Sequence, residues 1–362
     1  DSSTSRGLGD VYKRQTDYTG SGPFKFVQKE FQPGVKTVYE KNTDYVPRKE
    51  APSWTSGGKV VNVDRVEWVA MADPMTTVNA LLGGEVDYIE TVPFDLVPMV
   101  KGAPDLTLRV LDKMGYQPMY RFNQLNAPFD NKLVRQAAMY AVGQDDILKA
   151  QVGDPEFYKT CGAVFGCNLP YSSNTRAHMI VPSNIEKAKA LLKEAKYDGA
   201  PVVILHATDI AMASAIPVVM AQQLRQAGFN VQLQAMDFMT MLSRRANRDV
   251  PAKGGWSIFV TTWHNSEIMD PLRNYGVSAN GEKAWFGWPT VPQVEALRDK
   301  FLVAGSEAER KQLAEQLQDV MLDEGVAVTL GQIETAAAYS KKLSGVLDSP
   351  APVFWNIKKA SR

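Results

Sequence analysis

The sequence predicts an α/β protein, and three features carry that reading. Val202-Val-Ile-Leu-His206 is a continuous apolar run of strand length, residues 211–227 follow with helical spacing up to Gly228, and Val231-Gln-Leu-Gln-Ala235 alternates like a half-buried strand. Two strands joined by a helix make a βαβ unit, which is expected to be parallel and right-handed. The second feature is a change of rhythm. Short strand-like runs and turn residues fill the chain up to about Arg109, whereas longer helices and isolated strands take over after Asn123. The third is a pair of helix-start signatures, Ser183-Asn-Ile-Glu186 and Ser306-Glu-Ala-Glu309, each followed by one apolar stripe.

Taken in order, Lys36-Thr-Val-Tyr-Glu40 and Val66-Glu-Trp-Val-Ala70 read as strands, and a short helix over 76–82 precedes Gly83-Gly84. The stretch 121–142 is a locally complete unit. Pro128 ends an extended run, Asp130 is placed to cap a helix, and Phe129 to staple onto Val134. Val134, Ala137, Ala138 and Ala141 form the apolar side of that helix, with Gly143 as its stop. Asp145-Asp146 sit at the next helix start, where they complement the dipole. Leu191 and Leu192, then Leu313, Leu317 and Met321, mark the buried sides of the two capped helices, and their Lys and Glu residues read as solvated faces. A strand from Trp256 delivers Trp263 and His264 to a polar loop that ends at Asp270-Pro271. Aromatic walls with a few placed polar groups are what binding pockets use, although packing alone explains Trp263, and a satisfied loop histidine explains His264, about as well.

Composition removes several function classes. Forty basic residues balance forty acidic ones, so no global field holds nucleic acid or an anionic membrane. The most apolar window, 201–220, contains His206, Asp209 and Pro217 and reads as a strand plus a core helix, not a membrane span. Residues 1–16 are rich in Ser, Arg and Gly and lack the apolar centre of a signal peptide; they read as a non-native or disordered tail, dispensable to the fold. Catalytic signatures are missing: there is no Gly-x-Ser-x-Gly, no His-Glu-x-x-His and no phosphate-cradling loop, and Gly20-Ser-Gly22 runs straight into Pro23, which makes a turn. No cofactor is expected. Cys161-Gly-Ala-Val-Phe-Gly-Cys167 holds the two cysteines, which fit a disulfide, two inert thiols or half of a metal site; with only His178, His206 and His264 elsewhere, a second zinc-ligand pair is lacking.

The run Arg121-Phe-Asn-Gln-Leu-Asn-Ala-Pro-Phe-Asp-Asn-Lys-Leu-Val-Arg-Gln-Ala-Ala-Met-Tyr-Ala-Val142 resembles the FN…PF-D…VRQA…YA segment of family 5 extracytoplasmic solute-binding proteins. These are the ligand-capturing subunits of ABC importers for peptides, nickel complexes and related solutes. Residues 20–26, 39–45, 81–88 and 185–195 are similar to the family's successive landmarks in the family's order, so the resemblance covers 17–362. It implies a two-lobed α/β fold of the type II periplasmic binding protein kind. The first lobe would take 17–121, the second 122–332, and 333–362 would return to the first. Only sixteen residues precede the match where family members carry a secretion signal and a longer amino-terminal region. The resemblance therefore implies an amino-terminally truncated chain with part of the first lobe missing and an open sheet edge.

The same resemblance places a ligand cavity. Trp263 matches the family's pocket tryptophan, His264 and Asn265 follow it into the loop, and Tyr116 and Phe238 match further pocket positions, where core packing explains them equally well. In peptide-binding members an Asp three residues after that Trp pairs with the ligand's amino terminus; here Ser266 stands there, with Glu267 one step on. The expected function is capture of a small polar solute, an oligopeptide or dipeptide, by lobe closure and its delivery to the membrane subunits of an ABC importer. The protein would act outside the cytoplasm, free in the periplasm or lipid-anchored, as a monomer without nucleic acid, metal or catalysis. In that exported setting Cys161 and Cys167 are expected to be joined. The rivals are a hydrolase using Cys161 or Cys167 with a histidine, and a binding protein for a metal chelate, opine or sugar.

Overall fold

The computed structural model describes residues 18–360, and the tail expected over 1–16 lies outside them. The chain forms two compact units: a discontinuous one, from the residues before Met114 together with those from Ala336 onward, and a continuous one, Met114–Thr335. These divisions differ from the expected 121/122 and 332/333. Tyr116–Phe122 and Gln332–Ile333 are paired strands of one sheet, so both belong to the continuous unit.

The discontinuous unit opens with an antiparallel sheet of β1 (Phe24–Phe26), β2 (Lys36–Lys41) and β3 (Arg65–Val69). Arg65 ties its exposed face, pairing with Glu30, with Glu67 at 2.6 Å and with Glu40 at 3.4 Å. Helix α1 (Pro74–Leu82) starts two residues before the expected 76, because Asp73 accepts the amide of Thr76 and Pro74 suits a first turn. Strand β4 (Tyr88–Ile89), helix α2 (Val97–Lys101) and strand β5 (Leu106–Arg109) complete this part.

The continuous unit is built on a seven-stranded mixed sheet. Its strands are β6 (Tyr116–Phe122), β7 (Tyr158–Lys159), β8 (Val202–Ala207), β9 (Val231–Met236), β10 (Ile258–His264), β11 (Val328–Thr329) and β12 (Gln332–Ile333), in the order β7-β12-β6-β10-β8-β9 with β11 also on β6. Strands β8, β9 and β10 are parallel, and β10 pairs antiparallel with β6 from Ile258↔Phe122 to His264↔Tyr116. Helices α3 (Lys132–Ala141), α4 (Gln144–Val152), α5 (Ile185–Glu194), α6 (Ile216–Ala227), α7 (Phe238–Arg244), α8 (Asn265–Ile268), α9 (Pro292–Val303) and α10 (Glu307–Glu324) surround it. Val202, Ile204 and Ile258 enter a large core with Ala138, Leu191, Leu224 and Leu317, while Val203, Leu205 and Phe259 enter a smaller one with Trp256, Met241 and Trp288. Burial on both faces explains why β8 reads as an unbroken apolar run.

The return segment supplies β13 (Ala337–Ser340), which lies between β4 and β5, and the ribbon β14 (Leu343–Ser344) with β15 (Lys358–Lys359). Tyr339 of β13 stacks on Tyr88 of β4 at 6.0 Å.

The helix punctuation corrects the sequence reading in four places. Helix α3 is capped by Asn131, whose side chain accepts the amide of Leu133 at 2.9 Å, and not by Asp130. Gly143 does not stop α3 but caps the start of α4, where a Cβ would come within 2.9 Å of Ser183 Oγ. Helix α5 is capped by Asn184 onto Lys187 and not by Ser183, which is exposed. Helix α6 begins at Ile216 instead of 211, with Pro217 in its first turn, and ends on Gly228 at φ 104°. Ser306 caps α10 as its signature predicts: its Oγ accepts the amide of Glu309 at 3.2 Å while Glu309 accepts that of Gly305 at 2.9 Å.

The α5 cap gives a direct check on that shift of one residue. Asn184→Ala should lose about 1 kcal/mol in denaturant unfolding and Ser183→Ala less than half of that. The reverse order would return the cap to Ser183.

Candidate functional site

The C-terminal ends of parallel strands are where α/β sheets place ligands, because loops and helix starts converge there. Strand β10 ends in Trp263 and His264, and register sets His264 opposite Tyr116 and Trp263 opposite Gln117. The Tyr116 and His264 rings meet edge to face at 5.0 Å. Trp263 packs edge to face on Trp285 at 5.5 Å, and Trp285 also meets Phe259 at 5.3 Å and Phe286 at 5.7 Å.

The loop carrying these rings is fixed by a buried cation. Arg121 of β6 is fully buried and donates to the carbonyls of Gly276, Ser278 and Trp285, with its guanidinium 5.5 Å from the Trp285 ring. Burial pushes its pKa down to about 9, so it stays protonated at neutral pH. Gly287 has to be glycine: φ is +106° and a Cβ would lie 2.4 Å from the Phe122 carbonyl oxygen. Through Gly287 the loop accepts the amide of Gln124 at 2.9 Å.

The expected site residues take four kinds of place. At the end of β10, His264 meets Tyr116, while Trp263, the preceding residue of the strand, meets Trp285 instead. Asn265 is buried beneath them, donating to the Met114 carbonyl at 2.6 Å with Gly166 packed against its Oδ1, so it supports the loop from below. Glu267 is exposed on the single turn of α8. Phe238 opens α7 after β9 and packs half-buried on the smaller core; Asp237 caps that helix through Thr240, whose hydrogen bonds hold the carboxyl below its usual range. Ser266 is engaged locally, its Oγ lying 2.6 Å from His264 Nδ1.

Cys161 and Cys167 form a disulfide, and no cysteine is free among the described residues. A thiol hydrolase therefore has no nucleophile here. Buried amides anchor the bridged loop: Gln144 donates to Cys161 O at 3.0 Å and accepts its amide at 2.8 Å, Gln117 donates to Ala163 O at 2.8 Å, and Gln318 accepts from Val164 at 3.0 Å. Since Gly166 of this loop abuts Asn265, the bridge stiffens the support under the sheet end. Sequence reasoning missed these glutamines, because a glutamine carries no burial signal of its own. It also missed Arg245, whose guanidinium lies 4.5 Å from the Phe286 ring and 5.2 Å from that of Trp285. No group of three or more His, Cys, Asp or Glu poised for a metal occurs among the described residues.

Residues 6–286 match the profile of bacterial extracellular solute-binding proteins, family 5, in its middle region. The chain is 41% identical over 344 residues to a Sinorhizobium fredii protein named "Probable peptide ABC transporter periplasmic-binding protein", covering 94% of this chain and 65% of that one. It is 27% identical to the glutathione-binding protein GsiB of Pectobacterium atrosepticum, covering 92% of this chain and 62% of the relative. It thus spans less than two thirds of either relative's length. Among solved structures, the ABC transporter substrate-binding protein CtaP of Listeria monocytogenes superposes with a TM-score of 0.79 at 19% identity, over 94% of this chain and 67% of the other. The fold is that of the two-lobed periplasmic binding proteins.

The brace has a measurable value. Replacing both Cys161 and Cys167 by Ser should cost about 2 kcal/mol, the chain-entropy value for so short a loop. Intact mass after alkylation without reductant should show no label on the parent protein, and two labels would remove the brace.

Proposed function

The chain belongs to the family 5 bacterial extracellular solute-binding proteins, and on that premise we propose that it captures a short peptide outside the cytoplasm and delivers it to the membrane subunits of an ABC importer. The observation that carries the reading is the aromatic end of β10, where two ring pairs are held, His264 on Tyr116 and Trp263 on Trp285 of the neighbouring loop. A peptide offers apolar side chains to such rings and polar termini to the groups around them. The relatives point the same way: one is named for peptide transport and the other for glutathione, itself a tripeptide.

A bound ammonium needs a carboxylate, and Ser266 cannot supply one. Glu267, exposed one residue further on, takes that role in this proposal. The protein acts as a monomer without chemistry on its ligand. Its uptake step is a hinge motion at the two chain crossings near Met114 and Ala336. Anchoring by lipid and release into the periplasm are both compatible with this function.

Calorimetry and tryptophan fluorescence with a pool of dipeptides test the proposal. Binding should change the emission, and Trp263→Ala should weaken affinity by about tenfold or more, the loss typical of an aromatic anchor. Glu267→Gln should weaken binding of free-amine peptides but not of amino-acetylated ones. A pool that leaves the parent protein's fluorescence and heat unchanged would refute peptide capture, and an unaffected Trp263→Ala variant would move the site elsewhere.

A further inference from the structure

Three arginines surround the aromatic face of the continuous unit. Arg121 sits 5.5 Å from the Trp285 ring, Arg245 4.5 Å from Phe286 and 5.2 Å from Trp285, and Arg248 5.0 Å from Trp288. None of the three pairs with a carboxylate among the described residues. They differ in what their N–H groups do. Arg121 donates through its two Nη to the carbonyls of Gly276, Ser278 and Trp285, its buried Nε having no acceptor among the described residues, and Arg248 donates to that of Glu282 at 3.0 Å. Neighbouring Arg244 donates to the carbonyls of Gly254 and Gly255. Arg245 has no hydrogen-bond acceptor among the described residues, and its Nε is buried.

A guanidinium carries five donors in a planar fork, and a buried one left unmet, as the Nε–H is here, costs free energy. The rings of Phe259, Trp285 and Phe286 offset part of that cost through cation–π attraction, at 5.7, 5.2 and 4.5 Å, but rings accept no strong in-plane hydrogen bonds. Burial lowers the Arg245 pKa, which agrees with a charge lacking a partner. What completes the site is an anion with two coplanar acceptor oxygens. Trp285 joins this group to the expected pocket wall, since it contacts both the Arg245 guanidinium and Trp263.

We propose that Arg245, held in its aromatic clamp, is a carboxylate-binding subsite that takes a carboxylate of the bound solute in a two-pronged hydrogen bond. The inference rests on the solute-binding reading and gives it a direction. Trp263 and Glu267 face the part of the ligand bearing the ammonium, and Arg245, on the far side of Trp285, faces the part bearing the carboxylate.

Two measurements test it. The first uses matched dipeptide pools, one with free carboxyl termini and one carboxamidated, on the parent protein, Arg245→Gln and Arg245→Lys, each checked for an unchanged unfolding midpoint. The parent should prefer the free acids by about tenfold or more, Arg245→Gln should lose that preference, and Arg245→Lys should recover part of it. Equal affinity of the parent for both pools, or an intact preference in Arg245→Gln, would overturn the proposal. The second follows the Arg245 side-chain Nε–H signal by NMR while acetate is titrated against chloride at constant ionic strength. A saturable shift with acetate, smaller with chloride, supports a carboxylate subsite even if no peptide binds, and equal or absent responses overturn it even if peptides do.

Discussion

The antiparallel pairing of Tyr116–Phe122 with Ile258–His264 is the constraint on which the continuous unit depends. Its register sends Phe122, Ile258 and Val260 into the large core, while Phe259 goes with Trp256 and Trp288 to the opposite face. A slip of one residue would exchange the faces and carry the Arg121 guanidinium among aliphatic side chains, where nothing could accept its hydrogen bonds. In the observed register those bonds reach Gly276, Ser278 and Trp285, and so dock the loop that carries the rings. The same register puts Tyr116 against His264. Core, loop and sheet-end ring pair therefore follow from one strand pairing.

Much of this was legible in the residue order, with a consistent pattern in what was not. Strands β8 and β9 follow directly from the apolar run and the alternation, because burial on two faces or one leaves that imprint in the side chains themselves. Helix starts were legible to within a residue or a few. Asn131 beside Asp130 and Asn184 beside Ser183 offer equally good capping groups, and only the backbone conformation of each decides between them. Gly143 starts the following helix because the backbone is already extended at Val142 and 143, and it lacks a side chain where Ser183, forty residues on, approaches, a contact that no local window contains.

The site shows the same division. Trp263 and His264 were picked out at the end of a strand-like run, and Trp263 and Tyr116 as pocket positions by their resemblance to the family pattern. Asn265 looked like a ligand group from its place after them, yet its amide is spent on the Met114 carbonyl. Arg245 lies just past α7, where a cation is sufficiently explained by the helix dipole. Only the folded chain reveals that three aromatic rings from distant segments close around it.

The contrast between Arg121 and Arg245 shows how one residue type serves two ends within a single face. Both guanidiniums are taken from water and both lie near the Trp285 ring, so both incur a desolvation cost. For Arg121 that cost is offset permanently by backbone carbonyls, and the return is a fixed loop. For Arg245 the rings restrain the planar head and offset part of the cost, while its buried Nε has no acceptor among the described residues. A group held in this way is ordered by packing during folding, without the rotamer freedom that a flexible surface arginine would lose on forming a contact. The bridged loop beneath Asn265 extends that stiffness to the other end of the site. A face prepared in this way fixes the spacing of rings and guanidinium before anything binds, and fixed spacing is a physical basis for selectivity by position alone.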